Sequence, residues 1–135
     1  MFMSRKGFTL IELIMVIVLL GLLSVVAVPQ FFSLQSNAKL AAEQGVVGGV
    51  RAGIYTLHAN NLANNVVPAF PATLGGTAAT ACAVATPCFA NVLDQGGVTQ
   101  DWTCITAGLT FRGPSNATNV YTYNPATGTF LQTTP

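Results

Sequence analysis

Phe8 to Val28 reads FTLIELIMVIVLLGLLSVVAV and holds one charge, Glu12. At about 1.5 Å per residue this run makes a helix of roughly 31 Å, close to the thickness of a hydrocarbon core. Arg5 and Lys6 stand ahead of it, and the positive-inside bias keeps that end in the cytoplasm. The rest of the chain is then expected on the far side of a membrane. Charge is scarce beyond this run. The basic residues are Arg5, Lys6, Lys39, Arg51 and Arg112, and the acidic ones are Glu12, Glu43, Asp94 and Asp101. Charged residues make up 7% of the chain, against a usual share of about 25%. That balance excludes a charge-solubilised disordered chain and argues against an ordinary cytosolic enzyme. Without a basic stripe, no dedicated nucleic-acid site is expected. One His, three Cys and scattered carboxylates give no expectation of a metal site or cofactor. The 135 residues suffice for one modest domain.

Glu12 decides between readings of the N-terminus. A secretory signal peptide needs a small-residue cleavage site after a shorter apolar run, and Ser24-Val25-Val26-Ala27 is a poor one. A plain membrane anchor leaves Glu12 unexplained. A carboxylate in a membrane segment costs about 2.5–3.5 kcal/mol on insertion scales, and no Lys or Arg lies within the run. Snorkelling to the nearby interface is the bland alternative. Gly7-Phe8-Thr9-Leu10-Ile11-Glu12, behind a short basic leader and followed by Pro29, resembles the type IV prepilin signature. The resemblance covers Arg5 to Gln30 and is weaker beyond about Leu40. It implies that Met1 to Gly7 is a leader, cut between Gly7 and Phe8 by a membrane-embedded aspartyl peptidase. Phe8 then becomes an N-methylated first residue. Glu12 takes the family's carboxylate position, meeting the amine of a neighbouring subunit's Phe8 in a fibre. Desolvation offsets much of that attraction, so the pair is expected to set register more than stability. Gly7 suits a protease that must bind extended backbone.

The apolar pattern continues through Phe31, Phe32, Leu34, Leu40, Val46, Val47, Val50, Ile54 and Leu57. Val46, Val50, Ile54 and Leu57 share one helical face. Gln30, Lys39, Glu43, Gln44 and Arg51 belong to the polar remainder. One helix is expected from Phe8 to Ala59, with a membrane-spanning half at 8–28 and an amphipathic half at 29–60. Pro29 removes one backbone hydrogen bond, so a kink or local melting is expected there. Gly45, Gly49 and Gly53 recur every four residues. Each costs about 1 kcal/mol in a helix. They fit close packing of the helix on its own sheet or a helix–helix contact between subunits.

Residues 61–135 read as a globular head. Val66 to Ala81 is a loop broken by Pro68, Pro71 and Gly75-Gly76. Pro87 to Leu93 fits one helical turn. Thr103–Arg112, Asn119–Tyr123 and Thr129–Thr133 read as strands separated by turns, giving a three-stranded antiparallel meander. Its apolar face would bury Leu109, Phe111, Val120 or Tyr121, and Phe130 against the helix. The expected class is α+β, a long helix on a small sheet, which is also the layout the resemblance implies. An exported head permits a disulfide, and the resemblance implies a tied C-terminal loop. Spacing alone does not name the pair among Cys82, Cys88 and Cys104. We favour Cys82 with Cys88, then Cys88 with Cys104, and either choice leaves one thiol over.

Other candidates are weaker. His58 lacks an acid partner nearby in sequence and reads as a packed or surface residue. Asp94 and Asp101 are too few oxygens for calcium, which argues against the major subunit of a type II secretion pseudopilus. Trp102 reads as a core or loop anchor, and Asn116-Ala117-Thr118 matches a glycosylation sequon. No catalytic set is present, so a non-enzymatic protein is expected. The glycines at 45–53 lack GxxxxGK, so the chain holds no phosphate loop.

These readings favour a structural pilus subunit, handled by a prepilin peptidase and a separate assembly machinery. It would wait in the inner membrane with a periplasmic head and then enter a homo-oligomeric extracellular fibre. The alternatives are a pseudopilin of a type II secretion or competence system, and a membrane-anchored periplasmic binding module.

Overall fold

The computed structural model describes residues 7–116 and 118–133. The expected leader residues before Gly7, with Arg5 and Lys6, fall outside them, as does Ala117 of the sequon. The chain divides into two units, one ending at Asn37 and one starting at Ala38.

A single helix, α1 (Leu10–Ala63, 54 residues), starts the fold. It runs through Pro29 without interruption. Proline has no N–H to give the ladder, yet the residues on both sides of it are helical. In the first unit its apolar side chains lie open, from Leu10 at 75% exposure to Phe31 at 72%. α1 is long and apolar enough to cross a membrane. In the second unit it changes character. Glu43, Val47, Val50 and Ile54 are buried, at intervals of three and four that put them on one face.

The head carries five strands rather than three. They are β1 (Thr80–Ala81), β2 (Thr103–Thr106), β3 (Thr110–Arg112), β4 (Val120–Asn124) and β5 (Thr129–Thr133). They pair antiparallel in sequence order. The expected strand Thr103–Arg112 folds back on itself, so that Cys104 opposes Phe111. The turn is made by Gly108 at φ 65°, a left-handed conformation that glycine adopts without strain. Leu109 N donates to Thr106 O at 2.9 Å to close it. β1 forms inside the Ala/Thr-rich stretch expected to be irregular, because its backbone finds the free edge of β2. The fold is α+β, a long N-terminal helix with a small antiparallel sheet.

Period-two alternation places Tyr121 and Tyr123 inward on β4, while Val120 is only partly buried. With Phe111 and Phe130 they meet Val47, Val50 and Ile54 of α1 in one core. At its centre sits Phe89, a loop residue. Its ring lies 4.2 Å from Phe111, 5.2 Å from Trp102 and 5.7 Å from Phe130, centroid to centroid. Phe89 belongs to the expected turn at Pro87–Leu93, where Val92 N and Leu93 N both bond its carbonyl. Cys82 and Cys88 are joined by a disulfide, and Cys104 is a free, buried thiol that donates to Thr106 O at 3.3 Å.

Candidate functional site

The N-terminal motif makes a defined local structure. Thr9 N donates to Glu12 Oε2 at 2.9 Å, and Thr9 Oγ1 donates to the same oxygen at 3.0 Å. Glu12 N returns a bond to Thr9 Oγ1 at 3.4 Å. This reciprocal pattern is a capping box, in which a Thr and a Glu three residues on satisfy two donors that the first helical turn leaves free. The T-x-x-E spacing is plain in the sequence at Thr9–Glu12 and was the signal for it. The negative charge also lies where the helix dipole favours it. Both bonds to the carboxylate fall on Oε2, and Oε1 has no hydrogen-bond partner among the described residues. Gly7 precedes the helix in irregular, exposed backbone. Phe8 is 91% exposed. Gly7, Phe8, the helix cap and the carboxylate thus occupy six consecutive, accessible residues.

The sequence pattern puts Glu43 in the polar remainder of α1, but the structure buries it completely. Its Oε2 accepts Ser115 N at 2.8 Å, and its Oε1 accepts Tyr121 Oη at 2.6 Å and Asn119 Nδ2 at 3.2 Å. Burial pushes this carboxyl up. The bonds from Ser115, Tyr121 and Asn119 outweigh that and hold it below the usual carboxylate range. Burial, with Glu43's bond and charge against it, pushes the Tyr121 phenol up to about 12. Tyr123 is also pushed up by burial, and its hydroxyl donates to Pro71 O at 2.8 Å. The partners of Glu43 lie more than 70 positions away, so no local spacing announces them.

The glycines separate by environment. A Cβ at Gly53 would collide with the backbone carbonyl of Val92, and one at Gly49 would rest 3.8 Å from Leu93 Cδ2. These two pack on the loop after Phe89, not on the sheet. Gly45 and its neighbour Gly48 have nothing within 4 Å of an added Cβ.

The remaining candidates do not converge. His58 stacks on Phe70 with centroids 3.8 Å apart, and its Nδ1 is buried without a partner among the described residues. A groove of about 610 Å³ between α1 and the loop at Ala90–Gly96 includes Asp94 but neither Asp101 nor His58. Among the described residues no three metal-ligating side chains cluster. Trp102 is a buried core residue at 3% exposure. Asn116 is exposed, and its Oδ1 accepts Thr118 N at 3.2 Å.

Residues 2–28 match the family described as the prokaryotic N-terminal methylation motif. Over 49 residues the chain is 47% identical to the type IV narrow pilus major component PilA5 of Thermus thermophilus, a match covering 36% of this chain and 42% of that protein. Over 60 residues it is 35% identical to the type II secretion system core protein G of Pseudomonas aeruginosa, covering 44% of this chain and 42% of that one. The chain spans less than half the length of these curated relatives. No solved structure matches it significantly. A prepilin-type N-terminus and pilin and pseudopilin relatives thus stand together with an α+β fold and an apolar helix.

Proposed function

We propose that this chain, with its N-terminal methylation motif, is a structural subunit of a type IV pilus. The carrying observation is the Gly7–Glu12 segment, an exposed scissile pair joined to a capped apolar helix whose most apolar window has 0% of its residues buried. A prepilin peptidase cuts between Gly7 and Phe8, and Phe8 is N-methylated. The subunit waits in the inner membrane with a periplasmic head. Assembly transfers the apolar half of α1 from lipid to neighbouring helices, so water never covers it. Pilus assembly machinery supplies the work. The role is structural and not enzymatic.

Glu12 serves two tasks through its two oxygens. Oε2 caps its own helix, and Oε1 is free to receive the methylated amine of a neighbour's Phe8. Desolvation offsets much of the gain, so the pair sets axial register. Adhesion, motility and DNA uptake are all consistent with such a fibre.

The 35% identity to a type II secretion core protein over the longer match favours a second reading, a pseudopilin. Terminal-peptide mass spectrometry on sheared surface material and washed membranes separates the two. A methylated peptide beginning at Phe8 in the sheared fraction supports the pilus subunit. The same peptide confined to membranes supports the pseudopilin. A membrane peptide that retains Gly7 overturns both and leaves an anchored binding module.

A further inference from the structure

Glu43 is the one charged side chain among the described residues that is fully buried. It has no Lys or Arg at ion-pair distance among them. An ionised carboxylate in such a place is costly unless donors replace its water. The donors come from the β3–β4 connection, through Ser115 N and Asn119 Nδ2, and from β4, through Tyr121 Oη. The connection is shaped for this carboxylate, because a Cβ at Gly113 would collide with it. Asn119 carries the contact further. Its Nδ2 also donates to Ser115 Oγ at 3.0 Å, and its Oδ1 accepts Gln132 Nε2 of β5 at 3.0 Å.

We infer that Glu43 is an acid-sensitive latch, which holds Gly113, Ser115 and Asn119 of the β3–β4 connection against α1 when ionised and releases them when protonated, while the aromatic core stays folded. The chemistry follows from the donor set. The carboxylate offers acceptors on both oxygens to three donors. A proton on Oε2 would face the Ser115 N–H, donor against donor. A proton on Oε1 would have to donate to Tyr121 and would displace Asn119. Either neutral form keeps fewer bonds than the ion, and the amide of Ser115 or Asn119 is left short of an acceptor.

No other group packed on the carboxylate titrates on the acid side of neutrality. From β4 it faces Tyr121, neutral throughout that range. From the connection it faces Ser115 and Asn119, which do not ionise. On α1 the basic residues Lys39 and Arg51 are exposed, and Arg51 Nε donates to Phe130 O at 3.0 Å. On β3 the basic residue Arg112 adjoins Gly113 and is exposed. The folded-state value of Glu43 is held down, so its contribution is present above the unfolded value and is lost as pH falls through the folded one. The latch is therefore closed at neutral pH and opens only below the ordinary carboxylate range.

Amide-resolved NMR of the full chain in detergent micelles tests this, between about pH 6 and about pH 3. The expected result is a shift of the Ser115 amide in step with the Glu43 carboxyl signal. Exchange protection at Ser115, corrected for intrinsic rate, should fall by about tenfold or more, while Phe111 and Phe130 keep theirs. Unchanged Ser115 protection through the Glu43 titration would overturn the inference. So would loss at Phe111 and Phe130 in the same step, which means global unfolding. Glu43→Gln should show an open connection already at neutral pH and no acid step. A Gln variant with wild-type protection and an intact step would count against the latch. The wild-type titration decides the matter even where that variant does not fold.

Discussion

The two glutamates of α1 solve the same problem by opposite routes. Glu12 lies at an exposed helix start, and one of its two oxygens is bonded within three residues by Thr9. Glu43 is buried and is satisfied by groups more than 70 positions away. Their units differ in the same sense. Around Glu12 the helix completes its own polar bonds and leaves its apolar side chains open, as lipid or a neighbouring helix requires. Around Glu43 the apolar side chains are consumed internally, with Val50 and Ile54 at 0% exposure. One stretch of the helix is built to be covered by something else, and the other is covered by its own chain.

The largest effect should come from the self-covered side. Phe111→Ala removes a fully buried ring that faces both Phe89 and Phe130. A loss of about 3–5 kcal/mol is expected, a large fraction of a domain's total of about 5–15 kcal/mol. Urea unfolding in micelles, followed by Trp102 fluorescence, measures it. The helical signal of the N-terminal half should persist after the head has unfolded. Simultaneous loss of both would break the division into differently stabilised units.

Next is Gly53→Ala. The new methyl meets the Val92 carbonyl, a backbone atom that cannot rotate away. Overpacking of this kind costs about 1–3 kcal/mol. The same unfolding experiment should show a lower midpoint with an unchanged slope. An unchanged midpoint would mean that the loop after Phe89 yields freely and that Gly53 is not a packing glycine.

What was legible in the sequence follows the same division. The apolar run, the head's inward Phe111 and Phe130, and the α+β class are period and composition signals, carried by neighbouring residues. The split of Thr103–Arg112 into two strands was missed because its β-rich composition hides Gly108, whose left-handed turn decides the fold there. Phe89 was missed as a core residue because a loop has no period to reveal which side chain turns inward. Glu43 reads only as part of the polar remainder of the helix, because its donors are brought to it by β4 and the β3–β4 connection. The capping box is a different kind of miss. Thr9 and Glu12 both belong to the N-terminal motif, and their three-residue spacing is itself the signal for the bond.

Thr9→Ala sharpens the contrast at the other end. It removes the Oγ1 partner of Glu12 and the return bond to Glu12 N. Cap removal costs about 0.5–2 kcal/mol. The loss should be confined to the first turn, read as faster amide exchange at Ile11 and Glu12 with the head's urea midpoint unchanged. A shifted head midpoint would show that the two regions are energetically coupled. Under the proposed function Glu12→Ala goes further. Leader cleavage at Gly7 should continue while fibre yield falls strongly, because both the cap and the partner for Phe8 are gone.

The smallest effect has the opposite sign and uses a residue two helical turns from Gly53. Gly45 lies on the exposed face of α1, with nothing within 4 Å of an added Cβ. Gly45→Ala should therefore stabilise the isolated subunit by about 0.5–1 kcal/mol, through reduced backbone freedom in the unfolded chain. Gly45 and Gly53 share a repeat in the sequence but not a physical role. The repeat alone gives one expectation for both, and the surroundings of each Cβ give two. A stabilised Gly45→Ala beside a destabilised Gly53→Ala in the same micelle preparation would separate the pair. Equal destabilisation of both would mean that Gly45 meets a neighbour even before assembly, and that the exposed face of α1 is already covered.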